Sequence, residues 1–383
     1  MSSSSEGLLN INRRQFIAGL VALGLAPVAA ARSHTGSSAG SEIWLSAQGA
    51  DGDHYGMSWY RAADADIHLT LSHFRGHGSA VNPIHPERAI MIGRQPGFKG
   101  IAVDLQQARI THQFDCQEGH QFFGHACFSA DGKTLYTTEG NIATGEGLVV
   151  ARDANTFQIL GQFSSHGIGP HELRLMPDGK SLVVANGGLL TRPQSGNQVL
   201  NPGDMDSSLV YLASTNGELL EQVRVPEPKA SIRHLDLSAN GEVAMAMQMQ
   251  RFAASHAEIV PLGAVHSPGQ AVRLLAHPEA VIGRLQDYMG SVAISNASRT
   301  VGFTSPKGNL AVFWNLDSGE YVGHHKLLDV CGLAVTADQQ HFILSSSIGQ
   351  LRLLNAHTLK EEKERRVMTE GIQWDNHLLV TTV

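Results

Sequence analysis

The chain has 383 residues, of which 42% are hydrophobic and 16% are charged. This balance is enough for a large globular core, and it excludes a disordered or collagen-like chain. Lys and Arg number 28 against 35 Asp and Glu, so the formal net charge is −7. The acidic charge and the lack of a basic run argue against a nucleic-acid-binding protein. Three cysteines are too few for a disulfide-stapled scaffold, whereas twenty histidines are unusually many.

The N-terminal segment has the pattern of an export signal. Adjacent Arg13 and Arg14 precede an apolar run from Phe16 to Ala26, and small residues at 29–31 form an A-x-A cleavage site. The run N-R-R-Q-F-I resembles a twin-arginine signal, and an ordinary secretory signal with two arginines is the alternative. We therefore predict a signal peptide at residues 1–31, a flexible leader at 32–41, and a protein that folds before transport to the bacterial periplasm. No later apolar stretch is long enough for a membrane span, so we expect the exported protein to be soluble.

Five segments of the remaining chain repeat one pattern. Each contains a short alternating strand, a turn typical of hairpins and a second β-rich strand, and two further strands follow. The segments recur every 40 to 63 residues, a period typical of the four-stranded blades of a β-propeller. They begin at Gly124, Pro170, Arg233, Gly290 and Val330.

The other strands complete a ring of seven blades. A further unit begins at Gly76, and the chain length corresponds to seven units of about 50 residues. The C-terminal run EGIQWDNHLLVTTV starts like a blade, whereas residues 42–74 carry strands without such a start. We therefore predict an all-β fold, a single seven-bladed β-propeller over residues 42–383. One blade would combine both chain ends, which removes the open sheet edges.

The inner strands of the repeat begin with an unusual set of side chains. In a propeller these strands all start at the same end of the central channel, so equivalent positions form a ring around the axis. Imidazole and thiolate groups suit copper, iron and zinc, which predicts a transition-metal site, although histidines that merely pack in a wet channel would give the same pattern. The other two ring positions are Ser291 and Glu370, the latter from an alignment of Gly371 with Gly332. The predicted ligands are His77, His125, His171, His234 and Cys331.

Residues beside the ring positions could orient the ligands. Glu172 follows His171 and is placed to orient neighbouring imidazoles. His166 could reach the mouth of the channel as an outer hydrogen-bond donor or as a substrate contact. Arg233 and Asp329 could anchor an anion or orient ligands, although such residues are more often partners in loop salt bridges.

The remaining histidines and cysteines carry weaker signals. His120 and His325 lie shortly before inner strands and are secondary candidates, and the rest are expected at the surface or in packing contacts. Cys116 and Cys127 could form a disulfide in an oxidising compartment, but the position of Cys127 in an inner strand favours core packing. Cys331 is then an odd thiol, and coordination would protect it.

Several of these runs resemble a known family. The runs G-H-x-x-F-S-x-D-G at Gly124, S-H-G-I-G-P-H-E-L at Ser165, D-V-C-G-L-A at Asp329 and W-D-N-H at Trp374 are similar to those of exported seven-bladed propellers grouped as domain of unknown function 1513. The resemblance covers the mature chain and implies a fold like that of quinoprotein amine dehydrogenase and YVTN-repeat propellers, with no activity to carry over. Members tend to be encoded beside imelysin-like lipoproteins and di-haem cytochrome-like proteins, which implies such partners and a role in periplasmic iron handling.

The sequence favours one function and leaves two others open. The favoured function is a monomeric periplasmic propeller that binds copper, iron or zinc in its channel and serves iron acquisition or a linked redox step. The first alternative is a metal-free platform for protein partners. The second is a metal-dependent oxidoreductase or hydrolase, for which Glu172 or Glu370 could act as a general base. The sequence has no phosphate-binding loop, no haem-attachment motif and no G-x-S-x-G elbow in a strand–turn–helix context.

Overall fold

The computed structural model describes residues 40–49, 54–196 and 198–383. The predicted signal peptide and nearly all of the predicted leader lie outside the described residues, so these two segments remain predictions. Ser41, the last residue of the predicted leader, donates its backbone N–H to the carbonyl of Val383 at 2.7 Å. Within the described part of the chain, no helix is both long and apolar enough to cross a membrane.

Strands follow one another almost without interruption in the first half of the described chain. A short 3-10 helix at Pro193–Ser195 separates the thirteenth strand from the fourteenth. In chain order the strands are β1 (Glu42–Gln48), β2 (Gly56–Arg61), β3 (Asp66–Leu71), β4 (Gly76–Val81), β5 (Arg88–Gly93), β6 (Lys99–Asp104), β7 (Arg109–Asp115), β8 (His120–Phe128), β9 (Thr134–Asn141), β10 (Gly147–Asp153), β11 (Ile159–Ser164), β12 (Pro170–Leu175), β13 (Ser181–Asn186) and β14 (Ser208–Ala213).

The second half continues in the same way, with one short α-helix, α1 (Glu279–Gly283), and 3-10 turns at Arg251–Ala253 and Lys363–Arg365. Its strands are β15 (Leu219–Val223), β16 (Ala230–Leu237), β17 (Val243–Met249), β18 (Gly263–His266), β19 (Arg273–Leu274), β20 (Ser291–Ser295), β21 (Thr300–Ser305), β22 (Leu310–Asn315), β23 (Tyr321–Lys326), β24 (Val330–Val335), β25 (His341–Ser346), β26 (Gln350–Asn355), β27 (Val367–Met368) and β28 (Leu379–Thr382).

The described strands form seven four-stranded antiparallel sheets. Six sheets are built from four consecutive strands, and the seventh has the order β28-β1-β2-β3. In that sheet Glu42 lies opposite Thr382 and Leu45 opposite Leu379, so both chain ends share one blade. The prediction of a seven-bladed propeller closed by its N- and C-terminal strands is confirmed. The innermost strands, which contact one another around the channel, are β28, β4, β8, β12, β16, β20 and β24.

Burial decreases from the middle of each blade to its outer edge. In β22, with the sequence LAVFWN, five of six residues are buried, because neighbouring blades cover both faces of the sheet. The outer strand β23 instead alternates between half-buried and exposed residues. Asn315 ends β22, and its Oδ1 accepts the backbone N–H groups of Asp317 and Ser318 at 3.0 and 2.8 Å, which closes the turn to the outer strand.

Five inner strands carry a bulge at or beside the ring position. A bulge leaves a residue without its regular ladder partner and re-aims its side chain, which here directs side chains towards the channel. In β20 the pairing is regular instead, with Ser291 opposite Thr304. The shifts lie between Gly76 and Ser79, Phe122 and Ala126, Pro170 and Leu173, Ile232 and His234, and Val330 and Leu333.

Candidate metal centre

Five imidazole rings meet in the central channel, and we call them the histidine cluster: His77, His125, His171, His234 and His377. The Nε2 atom of His77 lies 3.4 Å from that of His171 and 3.3 Å from that of His377. The ring centroid of His234 is 4.8 Å from that of His171 and 4.4 Å from that of His377. The ring of His125 lies 4.7 Å from that of His377. The structure therefore brings the four predicted histidines together and adds a fifth.

His377 occupies the ring position that the sequence alignment gave to Glu370, and the Glu370 prediction was wrong. His377 lies two residues before Leu379, the first residue of β28 that pairs with β1. Cys331 has the same offset from Leu333. Glu370 is exposed in a turn well before β28. The alternating run H-L-L-V-T-T would have given the correct register if it had been matched to the inner strand of the other blades.

Cys331 holds the equivalent position in its blade but does not join the cluster. Its Sγ lies 3.3 Å from the carbonyl oxygen of Trp374 and 3.6 Å from that of Ser345. Burial raises the pKa of this thiol to about 12, so it remains a protonated donor near pH 7. Among the described side chains, Cys331 belongs to neither group of ligand atoms close enough to hold an ion. Ser291 is buried and lines a cavity next to His234.

A buried carboxylate supports one side of the cluster. Glu172 Oε1 accepts the Nε–H of Arg174 at 2.8 Å, and Oε2 accepts the backbone N–H of Leu235 at 3.2 Å. Burial by itself would raise the pKa of Glu172, but the charge of Arg174 and the neighbouring imidazoles hold it well below its usual range. Arg174 also lies 3.8 Å from Asp236, which lines the same side of the channel. Glu172 is therefore an ionised acceptor, which is compatible with the orienting role that the sequence suggested for it.

This carboxylate fixes the proton of His234. A carboxylate can only accept, so the Nδ1 of His234, 3.3 Å from Glu172 Oε2, carries the proton and leaves the Nε2 lone pair free. The Nδ1 of His125 lies 3.9 Å from the same oxygen. The Nε2 of His125 is buried and has no hydrogen-bond partner among the described residues. Glu172 thus leaves Nε2 of His234 as a ligand atom, in the arrangement by which a carboxylate orients metal-binding imidazoles. The contact with His125 is too long for a hydrogen bond, and Nε2 of His125 is a second unpartnered nitrogen.

His171 has the opposite proton arrangement. Nη1 of Arg233 lies 3.4 Å from its Nδ1, and a guanidinium can only donate. Nδ1 of His171 is therefore the acceptor, and the neutral ring carries its proton on Nε2. That proton points to Nε2 of His77 at 3.4 Å. In this arrangement His171 is a hydrogen-bond donor within the cluster and has no free lone pair for an ion.

Burial keeps the cluster uncharged near pH 7. It is the largest influence on the pKa of all five rings and lowers each of them. Neighbouring imidazoles lower the pKa of four rings further, whereas Glu172 opposes the shift of His234. The pKa of His125 is lowered to about 3, although Glu172 opposes the shift. Neutral imidazoles keep the lone pairs that a metal ion needs.

Two overlapping groups of ligand atoms are compact enough to hold an ion, with all atoms of a group within 4.8 Å of one another. His234 belongs to both. Because Glu172 already binds Arg174 and Leu235, its carboxylate fits an orienting role better than a ligand role. The groups are His125, Glu172, His234 and His377, and His77, His171 and His234.

The cluster lines two cavities. One has a volume of about 230 Å³ and reaches His125, His234 and His377. The other has about 250 Å³ and reaches His77, His171 and His234. Side chains of the cluster are therefore accessible to small molecules from two directions.

A comparison with family models identifies the family to which the chain belongs. A family model described as a protein of unknown function (DUF1513) matches residues 71–381. The chain belongs to this family. Among the curated proteins, none matches the sequence. A solved structure of Kuenenia stuttgartiensis hydrazine synthase is similar to this family member with a TM-score of 0.59 at 13% identity, covering 82% of this chain and 90% of the other. At this identity the likeness shows a shared propeller fold alone.

The other candidate residues of this DUF1513 member lie outside the cluster. His166 is exposed, and its Nε2 lies 3.4 Å from the carbonyl of Gly217. His120 lies 3.5 Å from Glu139, and His325 lies 4.0 Å from Glu361. The carboxylate of Asp329 accepts the hydroxyl of Ser347. Cys116 and Cys127 are both free thiols, so the alternative of a disulfide between them is not observed.

Proposed function

We propose that this protein binds a transition-metal ion, copper, iron or zinc, in its central channel through imidazole nitrogens of His125, His234 and His377, which belong to one compact group. His77 would join the ion by exchanging its hydrogen bond with His171 for a bond to the metal. The observation that carries the proposal is the buried, unpartnered Nε2 of His125 beside His234, whose proton Glu172 holds on Nδ1. Leaving a buried polar atom unpaired costs about 1–3 kcal/mol, and a bound ion would remove that cost.

The spacing of the imidazoles supports a single ion. Two nitrogens bound to one zinc ion at about 2.0–2.1 Å in tetrahedral geometry lie about 3.3 Å apart. The Nε2 atoms of His77 and His377 are 3.3 Å apart. Nitrogen donors select transition metals over calcium and magnesium, which prefer oxygen ligands.

The wider role in this proposal follows from the resemblance stated above. Export by a twin-arginine signal would place the folded protein in the periplasm. There the ion would serve iron acquisition or a linked redox step, with imelysin-like or di-haem cytochrome-like proteins as partners. A channel site with access from two cavities is compatible with an ion that is exchanged or that meets a second reactant.

Metal content tests the proposal directly. The full chain would be expressed with its own N-terminal segment and measured by plasma mass spectrometry, followed by titration of the EDTA-treated protein with copper, ferrous and zinc ions. We expect near-stoichiometric metal that is lost in a His125→Ala/His234→Ala double variant. His166→Ala, which removes an exposed histidine outside the cluster, should retain the metal. A wild-type protein with no affinity for any of the three ions, or a folded double variant with wild-type metal content, would overturn the proposal.

A further inference from the structure

The cavity of about 250 Å³ beside His77 and His171 is lined by an unusual number of hydrogen-bond donors, and we call it the arginine cavity. Apart from the imidazoles, its polar wall combines two guanidinium groups with amides and a phenol. These side chains include Arg94, Gln95, Arg233, Gln248, Gln250 and Tyr288. No Asp or Glu lines this cavity among the described residues.

Arg233 is a charged group without a counter-ion. In the described part of the chain it forms no salt bridge, and its one hydrogen bond is the 3.4 Å contact from Nη1 to His171. Its Nε is buried and has no hydrogen-bond partner there. Arg233 is half-buried, and a guanidinium whose Nε is removed from water in this way is costly unless an anion pairs with it.

The surroundings do not supply the missing negative charge. Arg94 and Arg75 share the single carboxylate of Asp375, at 3.8 and 3.6 Å. The ammonium group of Lys307 lies 4.9 Å from the ring centroid of Tyr288. Asp375 is therefore shared between two arginines, and none of the described carboxylates forms an ion pair with Arg233.

We propose that the arginine cavity binds a small organic carboxylate, held by the guanidinium groups of Arg233 and Arg94 against the His77–His171 edge of the histidine cluster. The planar fork of arginine matches the two oxygens of a carboxylate, and a carboxylate in this position could present its second oxygen towards the cluster. This last contact rests on the proposed function, because an ion in the cluster would be repelled by Arg233 and a bridging carboxylate would reduce that repulsion. Binding of the carboxylate itself requires only the arginines.

Calorimetric titration of the EDTA-treated full chain tests the proposal, with citrate, oxalate and inorganic phosphate as separate probes. We expect citrate or oxalate to bind, and Arg233→Gln to weaken that binding about 10-fold or more, since a hydrogen bond to a charged group is lost without replacement. Arg233→Lys keeps the charge but not the fork and should be intermediate. Arg224→Gln is the matched control, because it removes the same charge from an exposed pair with Asp206 and should bind like the wild type.

The outcomes separate this inference from the proposed function. If metal fails to bind but citrate or oxalate binding still depends on Arg233, the metal proposal fails and this inference holds. If the Arg233→Gln variant binds both carboxylates like the wild type, or if phosphate alone binds, this inference is overturned whatever the metal result. Circular dichroism would verify folding. Should Arg233→Gln not fold, Arg94→Gln takes its place, since its side chain is 40% exposed and Asp375 keeps Arg75 as a partner.

Discussion

The seven ring positions of this propeller divide into two arcs that share a backbone but not a chemistry. Five consecutive blades, from β28 to β16, place an imidazole in the channel, whereas the blades of β20 and β24 place Ser291 and Cys331 there. Cys331 even lies in a bulge like those at four of the histidines, yet its thiol turns to the carbonyl of Trp374. The repeat thus determines the backbone position from which a side chain extends. The length of the side chain and its hydrogen-bond partners determine which groups it contacts.

We call the five ring positions that carry histidines the imidazole arc. Removing an imidazole from this arc should have the largest effect on metal affinity. We expect His234→Ala to lower metal affinity by more than the ~10–100-fold typical of lost orienting residues, because His234 belongs to both groups of ligand atoms. Cys331→Ser should leave the affinity unchanged, because its sulfur is directed to backbone carbonyls. Competition titration with a chromophoric chelator measures both. A Cys331→Ser variant that loses metal as completely as His234→Ala would remove the distinction between the arcs.

The carboxylate behind the imidazole arc should have the next largest effect. Glu172→Gln removes the charge that holds the proton of His234 on Nδ1, and we expect a loss of about 10–100-fold in metal affinity. The variant also deprives Arg174 of its partner, so thermal stability should fall as well. Glu242→Gln controls for this, because Glu242 pairs with Arg299 but lines neither channel cavity. Equal metal loss in both variants would show that destabilisation, not orientation, is the cause.

The imidazole arc should also make the metal-free protein sensitive to acid. The pKa of His125 is about 3 in the folded protein and about 6.5 in an unfolded chain, so the unfolded state binds the extra proton between these values. The corresponding stability is fully present above about pH 6.5 and is lost as the pH falls towards 3, by up to about 1.4 kcal/mol per pH unit.

Urea unfolding of EDTA-treated protein across this pH window measures the effect. His125→Gln should make the dependence of the unfolding free energy on pH shallower than in the wild type. His166→Gln, at an exposed position outside the arcs, should not change it. An unchanged slope in His125→Gln would show that His125 is protonated as easily in the folded state as in the unfolded one.

The fold was predictable because its determinants are local and repeated. Alternating strands and turn residues recur within each blade, and a missing inner strand at residues 42–74 indicated that the C-terminal strand would complete that blade. The four histidines at equivalent inner-strand positions were predicted to converge because the same register places them at one end of the channel. They do converge.

The details of the site depend on features that the repeat does not encode. His377 lies in the irregular W-D-N-H run before β28, where an alignment on glycine gave the wrong register. Cys331 turns away from the cluster because its thiol contacts the backbone carbonyl of Trp374, which precedes the inner strand of another blade. The proton arrangement of His171 depends on Arg233, 62 residues further along the chain. Such contacts between blades follow from the closed ring and have no signature in a single repeat.

The smallest effect within the imidazole arc should come from His171. We expect His171→Gln to reduce metal affinity less than about 10-fold, since Arg233 holds the ring as an Nε2–H donor and other imidazoles of the cluster bind the ion. The loss of the His171 ring should instead weaken carboxylate binding, because Arg233 would no longer be anchored beside the cavity. Parallel titrations with metal and with citrate separate the two effects. If His171→Gln loses metal as strongly as His234→Ala, the proton of His171 must move to Nδ1 when the ion binds, and Arg233 must then release the ring.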